Sequence, residues 1–455
     1  MYDHDLVTIG GGSGGVAASR YAGTLGARVA LCEQDRMGGT CVIRGCIPKK
    51  IFMYAAQFGE AFADAAGYGW SGERPAFELY RLTQRKNEET ERLERVYESL
   101  LDASRVHRFH GHARIVDPHT VVVGDTRLTA KRILIATGAT PQRPPMPGID
   151  LALTSNEILE LTDVPEHLLV LGSGYVAMEF ASIFRGFGAD VTVAFRADLP
   201  LKGFDTDIRR RVAELLTHRG IRLLPGFQAQ ALSRDDTGEV RCSAEDGRSE
   251  GAEVVLNAMG RRANTEGLGL EAVGIALGPD GEIPVDEHSR TCVPSIFAIG
   301  DVTDRLALTP VAIAEGRAFV DTEFGGRPRA IDHQTVASAV FTSPPIATVG
   351  LSEDEALKRG IGVQVFEADF KPMKNGIAGR AERTYMKLVT DAATDRVLGV
   401  HMFGTDAPEI VQSLAVAITM GATKRQFDAT MAVHPTAAEE FMLMRTPRKP
   451  APTRA

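Results

Sequence analysis

Several short apolar runs in the first two thirds of the chain lead into a glycine, a pattern that predicts buried strands entering tight turns. Leu6–Ile9 runs into Gly10, Ile133–Ile135 toward Gly138, Leu168–Leu171 into Gly172, and Val254–Leu256 toward Gly260. Two of them continue into helical stretches, Val16–Leu25 and the segment through Phe184, and then into second strands at Ala27–Leu31 and Asp190–Phe195. Ser295–Asp301, S-I-F-A-I-G-D, is a further strand that delivers an acid at its C-terminal end, where ligands of such sheets bind. Between the two units, Phe77–Leu101 is rich in Glu and Arg and carries Leu93, Val96, Leu100 and Leu101 at helical spacing, predicting one or two exposed helices. From about Ala337 the texture changes to strands at Val363–Phe370, Tyr385–Asp391 and Val397–Phe403, with helices at Pro408–Met420 and Ala437–Met444. The whole predicts an α/β chain of two Rossmann-like units, the second inserted in the first, followed by an α+β domain, with Pro141–Pro147 as a connection. The expected bounds are 1–144 and 265–336 for the divided first unit, 145–264 for the inserted one and 337–455 for the last.

Glycine spacing gives both units a chemistry. Gly10, Gly12 and Gly15 form G-x-G-x-x-G between strand and helix, and Glu33 ends the next strand. Such glycines give a tight turn and let a pyrophosphate approach the helix N-terminus, while the acid binds ribose hydroxyls. A bare glycine motif is weak evidence; with strand, helix, second strand and terminal acid around it, it marks a dinucleotide site. The fingerprint recurs as Gly172, Gly174 and Ala177, but Arg196 stands where Glu33 stands in the first copy. A guanidinium pairs with a 2′-phosphate that a carboxylate would repel, so the second site is expected to prefer NADP over NAD. Arg196 alone reads as an ordinary surface charge; Lys202, six residues later, turns the reading toward a phosphate clamp.

Cys41 and Cys46 stand in G-G-T-C-V-I-R-G-C-I-P-K-K, directly after the first fingerprint. Two thiols beside a bound cofactor form an electron relay if they cycle through a disulfide, and a place on the first turns of a helix would favour a thiolate. The plainer alternatives are two small buried hydrophobes sharing a loop, or part of a zinc site. Zinc lacks its other ligands, since Cys32, Cys242 and Cys292 are scattered singly, so no metal is expected, and the flanking glycines and lysines favour the redox pair. Near the C-terminus, His434 has a side chain suited to proton transfer, and Glu439, on the helix expected to follow, can fix its tautomer. A lone His is more often a satisfied structural residue, and it is the disulfide that gives this one a task.

At 455 residues the chain exceeds one compact core. Its 51 basic and 59 acidic side chains leave a formal net charge of −8, which argues against a nucleic-acid partner. No apolar run reaches transmembrane length, so no membrane partner is expected. The first strand begins almost at Met1, which leaves no room for a signal or transit peptide and makes the cytoplasm the expected compartment. In such a reducing compartment a disulfide is catalytic rather than structural.

Together these motifs resemble the pyridine nucleotide-disulphide oxidoreductases over nearly the whole chain, most closely the branch of the glutathione reductases. The residues that carry the resemblance are Gly38–Lys50, the A-T-G of Ala136–Gly138, G-S-G-Y-V-A-M-E at Gly172–Glu179, A-I-G-D at Ala298–Asp301 and H-P-T-A-A-E-E at His434–Glu440. The resemblance implies FAD in the first site, NADPH in the second, glutathione disulfide as substrate, and a homodimer joined through the last domain with the active site shared between subunits. It gives Cys46 the flavin side and Cys41 the attack on substrate, with Lys49 and Glu179 as a pair beside the flavin, for which the plain alternative is a surface ion pair. It places Gly10, Gly12, Ser13, Gly15, Glu33, Thr40, Thr137, Gly138, Asp301 and Thr309 around FAD. Around NADPH it places Gly172, Gly174, Tyr175, Ala177, Arg196, Lys202 and Gly260, with Tyr175 covering the nicotinamide pocket. Ala17, Arg20, Tyr97 and Arg317 would line the substrate site, where arginines suit the carboxylates of glutathione disulfide. His434, oriented by Glu439, would come from the other subunit and protonate the departing thiolate.

Competing readings meet specific residues. Dihydrolipoamide dehydrogenases typically have Ser-Lys where Lys49 and Lys50 stand and an acid at the place of Arg196. Large thioredoxin reductases and mercuric reductases need further cysteines near the C-terminus, and Arg445–Ala455 has none. A reductase of a glutathione variant, or a redox-sensing flavoprotein without turnover, shares the motifs, although the intact catalytic set argues against the sensor. Arg44, between the cysteines, replaces an apolar residue seen in many relatives, and its charge either lowers a thiol pKa or points to solvent.

Overall fold

The computed structural model describes residues 1–73 and 75–449, so the end of the cysteine-free tail, 450–455, lies outside the described residues. Leu6, Val7 and Ile9 are buried because His4–Ile9 sits in the middle of a seven-stranded sheet covered on both faces. The order is Val106–His110, Val29–Glu33, His4–Ile9, Thr126–Ile135, Thr120–Val123, Ala113–Asp117. Thr126–Ile135 is used twice: its start pairs antiparallel with Thr120–Val123, and its end runs parallel to His4–Ile9. Ile296–Ala298 adds in parallel beside that same end, so the chain leaves this sheet at Ile135 and returns to it some 160 residues later. In between it builds a parallel sheet of Arg222–Pro225, Asp190–Phe195, His167–Leu171 and Val254–Asn257, with a separate antiparallel sheet formed by Ala229–Arg234, Val240–Ala244 and Ser249–Ala252. Outgoing and returning chains pair as Ala139–Pro141 with Arg261–Ala263, making the proline-rich connection a two-stranded link. The last part is a five-stranded antiparallel sheet in the order Ser338–Val340, Ile346–Gly350, Val397–Phe403, Thr384–Asp391, Val363–Phe370, with the helix Ala407–Thr419 packed on it.

Two helices differ from expectation. The Glu- and Arg-rich stretch is one helix, Leu79–Ala103, and it is not merely exposed, because Leu79, Thr83, Lys86, Thr90 and Leu101 are buried. Lys86, whose stem packs in that interface, finds its partner in Glu160 Oε1 at 2.5 Å. The helix expected over Ala437–Met444 shrinks to Glu440–Leu443. Thr436 Oγ1 donates to Val433 O at 2.7 Å and Glu439 accepts from His434 and from the Thr436 amide, local bonds that compete with an earlier helix start.

One buried cation locks the inserted unit to the C-terminal sheet. Lys387 Nζ lies 2.9 Å from Asp205 Oδ1, 2.6 Å from Asp207 Oδ2 and 2.7 Å from Glu353 Oε2, and only 1 % of its side chain is exposed. Asp205 is also the N-cap of the helix Thr206–His218. Lys387→Met keeps the length of the side chain but leaves these carboxylates facing an apolar tip. The unfolding free energy from urea denaturation is expected to fall by about 3–5 kcal/mol.

Candidate active site

The two glycine loops are shaped by contacts that exclude any side chain. Gly10 has φ +109°, and a Cβ there would lie 2.3 Å from Ala136 O; Gly172 repeats this with φ +127° and Ala258 O at 2.4 Å. The middle glycine of each loop does the opposite and faces open space. A Cβ on Gly12 would meet only Gly39 Cα, at 3.9 Å, and one on Gly174 would meet nothing within 4 Å. These loops start the helices Ser13–Thr24 and Tyr175–Phe187, whose first amides are left for an anion. Glu33 Oε2 accepts from the Gly11 amide at 2.6 Å, so the strand-end acid braces the loop while keeping lone pairs for a ribose.

A cavity of about 1010 Å³ opens in front of the first loop. It brings together Gly10, Gly12, Ser13, Glu33, Thr40, Cys41, Cys46, Lys49, Thr137, Gly138, Tyr175, Glu179, Asp301 and Thr309 on one wall system. Ser13 Oγ and Arg261 Nε, both on its wall, are buried without a hydrogen-bond partner. Open glycine, free helix N-terminus and orphaned polar atoms fit a dinucleotide such as FAD. Asp301 is held by Arg261 Nη2 at 3.2 Å, and burial raises its carboxyl above the ordinary value although that guanidinium opposes the rise.

Cys41 lies in the short helix Gly39–Ile43, and Cys46 is the first residue of the long helix Cys46–Ala65. That position gives Cys46 the unpaired amides and positive end of a helix. The Cys46 thiol is pulled down to about 6, chiefly by hydrogen bonding with the Cys41 thiol, helped by the Thr309 hydroxyl and the Lys49 ammonium and opposed by burial. Cys46 Sγ is 3.5 Å from Thr309 Oγ1. The same thiol–thiol bond, with burial, pushes Cys41 upward, so the reduced pair holds its negative charge on Cys46. Lys49, one helical turn on, donates to Glu179 Oε1 at 2.7 Å; their side chains are 12 % and 4 % exposed, which removes the surface-ion-pair alternative. Arg44 lines the cavity and pairs with Asp35, with 35 % of its side chain exposed.

Other expected residues lie outside that cavity wall. Gly15 serves packing, since a Cβ there would sit 2.0 Å from Gly10 O. Gly172, Gly174 and Ala177 surround the start of the second loop helix, and Gly260, at φ +127°, follows the neighbouring strand Val254–Asn257. Arg196 follows the strand Asp190–Phe195 and is exposed, as is Lys202; among the described residues no carboxylate pairs with either. Ala17 and Arg20 lie on Ser13–Thr24 and Arg317 on Thr309–Glu323, helices brought close where Gly316 faces Gly14 O. Tyr97 is half-buried, and burial raises its hydroxyl above the ordinary value. His434 is 79 % exposed on its side chain, with Nδ1 2.9 Å from Glu439 Oε2. Met431 and Val433, its near neighbours along the chain, are exposed as well, and His434 does not line the cavity of the thiols.

Phe341 and Glu315 were missed. The Phe341 amide donates to Glu179 Oε1 at 2.8 Å, and Glu315 Oε2 accepts the Gly300 amide at 2.7 Å, bracing the turn that carries Asp301. Neither stands in a motif; both act through contacts made only after folding.

A family model described as pyridine nucleotide-disulphide oxidoreductase matches residues 4–316, and the dimerisation domain of the same family matches 336–445. The chain is 46 % identical to the glutathione reductase of Nostoc sp. over 98 % of its own length and 100 % of that protein's. It is 38 % identical to the trypanothione reductase of Leishmania donovani, over 98 % of the chain and 96 % of that protein. Among solved structures, the HOCl-induced flavoprotein disulfide reductase RclA from Escherichia coli superposes with a TM-score of 0.87 at 28 % identity, covering 97 % of this chain and 99 % of that one.

The thiol asymmetry is measurable. In the reduced protein, thiolate ultraviolet absorbance is expected to titrate with a midpoint at about 6, being lost as pH falls through it. Lys49→Met removes a cation and leaves the Glu179 carboxylate, and both changes should move the midpoint upward.

Proposed function

The chain belongs to the pyridine nucleotide-disulphide oxidoreductase family, and on that premise we propose that it reduces glutathione disulfide to two glutathione, using NADPH, FAD and the Cys41–Cys46 disulfide. The observation that carries this reading is the unequal thiol pair at a helix start, on the wall of a cavity built for a dinucleotide. Likeness to glutathione reductases over the full chain supports the choice of substrate. So do Arg20 and Arg317, cations suited to the carboxylates of glutathione.

Bound FAD would supply the two-electron chemistry that links NADPH to the disulfide. The residues assigned to hold it are Gly10, Gly12, Ser13, Glu33, Thr40, Thr137, Gly138, Asp301 and Thr309, with Gly15 shaping the loop. Gly172, Gly174, Ala177 and Gly260 admit the NADPH pyrophosphate, Arg196 and Lys202 grip its 2′-phosphate, and Tyr175 covers the nicotinamide pocket. Once the pair is reduced, Cys46 keeps the thiolate while Cys41 passes its proton to His434 and attacks one sulfur of glutathione disulfide as a thiolate. The S–S bond of the substrate breaks, a Cys41–glutathione disulfide forms, and the departing thiolate takes a proton from His434. Cys46 then displaces the second glutathione from Cys41 as a thiolate, which takes its proton from solvent, and the internal disulfide is restored. One NADPH and one proton are consumed for each glutathione disulfide.

The protein is a homodimer in this reading, and the proton donor is His434 of the other subunit, with Glu439 fixing its ring. The exposure of His434 beside apolar Met431 and Val433, in a domain of the dimerisation family, supports this. No helix among the described residues is long and apolar enough to cross a membrane. A redox-active disulfide amid otherwise unpaired cysteines suits the cytoplasm as compartment.

NADPH oxidation driven by glutathione disulfide is the deciding assay, and its absence would overturn the reading. His434→Ala should lower that turnover by about 10²- to 10⁴-fold. Mixing His434→Ala with Cys46→Ser subunits should regain activity that neither homodimer shows. Arg196→Ala with Lys202→Ala should raise the KM for NADPH by roughly tenfold or more per lost charge-assisted contact while sparing NADH, read from steady-state kinetics with each nucleotide.

A further inference from the structure

Phe341 belongs to neither glycine loop and lies far in sequence from the cysteines, yet it lines their cavity. It follows directly on the strand Ser338–Val340 of the C-terminal sheet. Its amide donates at 2.8 Å to Glu179 Oε1, the oxygen that also accepts from Lys49 Nζ. Its ring centroid lies 4.2 Å from Lys49 Nζ and 4.8 Å from Lys50 Nζ. The Lys49 ammonium therefore has one buried carboxylate and one aromatic face as partners, and the backbone bond fixes ring and carboxylate relative to each other. A lysine held by a carboxylate alone swings on a flexible stem; a π face at cation–π distance gives it a second fixed attraction. We propose that Phe341 is a positioning residue of the redox centre, whose ring and amide together hold the Lys49 ammonium where it faces Cys46.

The consequence falls on the thiolate, because attraction between two charges weakens with their separation. The titratable groups around Cys46 are Cys41, Lys49 and Glu179, with Tyr97 and Tyr175 also within electrostatic reach. Of these only Lys49 is a cation, so its placement sets the electrostatic attraction that adds to the Cys41 and Thr309 hydrogen bonds in keeping the negative charge on Cys46. Lys50, against the same ring and 5.6 Å from that of Tyr54, adds a second positive charge to this face.

The inference rests on the disulfide-reductase reading for its catalytic meaning, but its test reads Cys46 without any acceptor substrate. In the reduced, FAD-containing protein, thiolate absorbance is followed against pH for wild type, Phe341→Leu, Phe341→Tyr and a protein carrying pentafluorophenylalanine at position 341. The fluorinated ring keeps the shape and packing but reverses the charge of the face. Leu and the fluorinated ring are expected to raise the midpoint by about half a pH unit or more, whereas Tyr leaves it in place. The melting temperature separates packing from positioning. A lower melting temperature with an unmoved midpoint in Phe341→Leu would overturn the proposal, as would an unmoved midpoint with the fluorinated ring, which also decides the matter if Phe341→Leu does not fold. Failure of glutathione disulfide turnover in wild type would sink the substrate reading and leave this titration intact.

Discussion

The buried ion pair of Lys49 with Glu179 is where three parts of the chain meet. Lys49 comes from the helix that starts at Cys46, Glu179 from the helix after the second glycine loop, and the amide that shares Glu179 Oε1 comes from Phe341 in the C-terminal domain. Taking both charges out of water costs several kcal/mol each, and the pair persists only because geometry and the extra hydrogen bond offset that cost. Packing has to be right in all three parts for the cation to stand beside Cys46. The redox centre is thus a product of assembly, although its two sulfurs are separated by only four residues.

The same economy runs through the cavity. Gly10 and Gly172 take backbone conformations and approaches that no side chain tolerates, while Gly12 and Gly174 leave their space open. Helix amides rather than side chains are thereby left facing the space in front of each loop, and Glu33 uses its carboxylate partly to brace the first loop. On the far side the acid delivered by Ile296–Ala298, Asp301, is paired with Arg261, while Glu315 braces the turn that carries it by accepting the Gly300 amide. A charge left without such partners in this position would neutralise rather than bind.

Much of the architecture was legible because it is periodic. Leu168–Leu171 is a continuous apolar run and Leu6–Ile9 is broken only by the buried Thr8, as suits strands buried on both faces, and the turn glycines after them have no substitute. The family resemblance was legible through the contiguous string around Cys41 and Cys46. The helix expected over Ala437–Met444 was not, because its apolar spacing carries no sign that Thr436 and Glu439 would bind backbone and His434 instead. Arg44 was ambiguous for a related reason: a charge between two cysteines has no direction until Asp35 stands beside it.

What the amino-acid sequence determined by itself is whatever depends on neighbours along the chain: strand and turn periodicity, the two fingerprints, the disulfide string, and the exchange of an acid for Arg196. What only the tertiary structure decided is which cysteine carries the charge, that Lys49 and Glu179 are a buried pair, and that Phe341 and Glu315 belong to the site. Local motifs follow from backbone sterics and hydrophobic spacing, which act over a few residues. Thiol pKa values and ion pairs follow from burial and side-chain contacts, the bond between Cys41 and Cys46 as well as those that Thr309 and Glu179 make from more than a hundred residues away, and these are set only when the parts have packed.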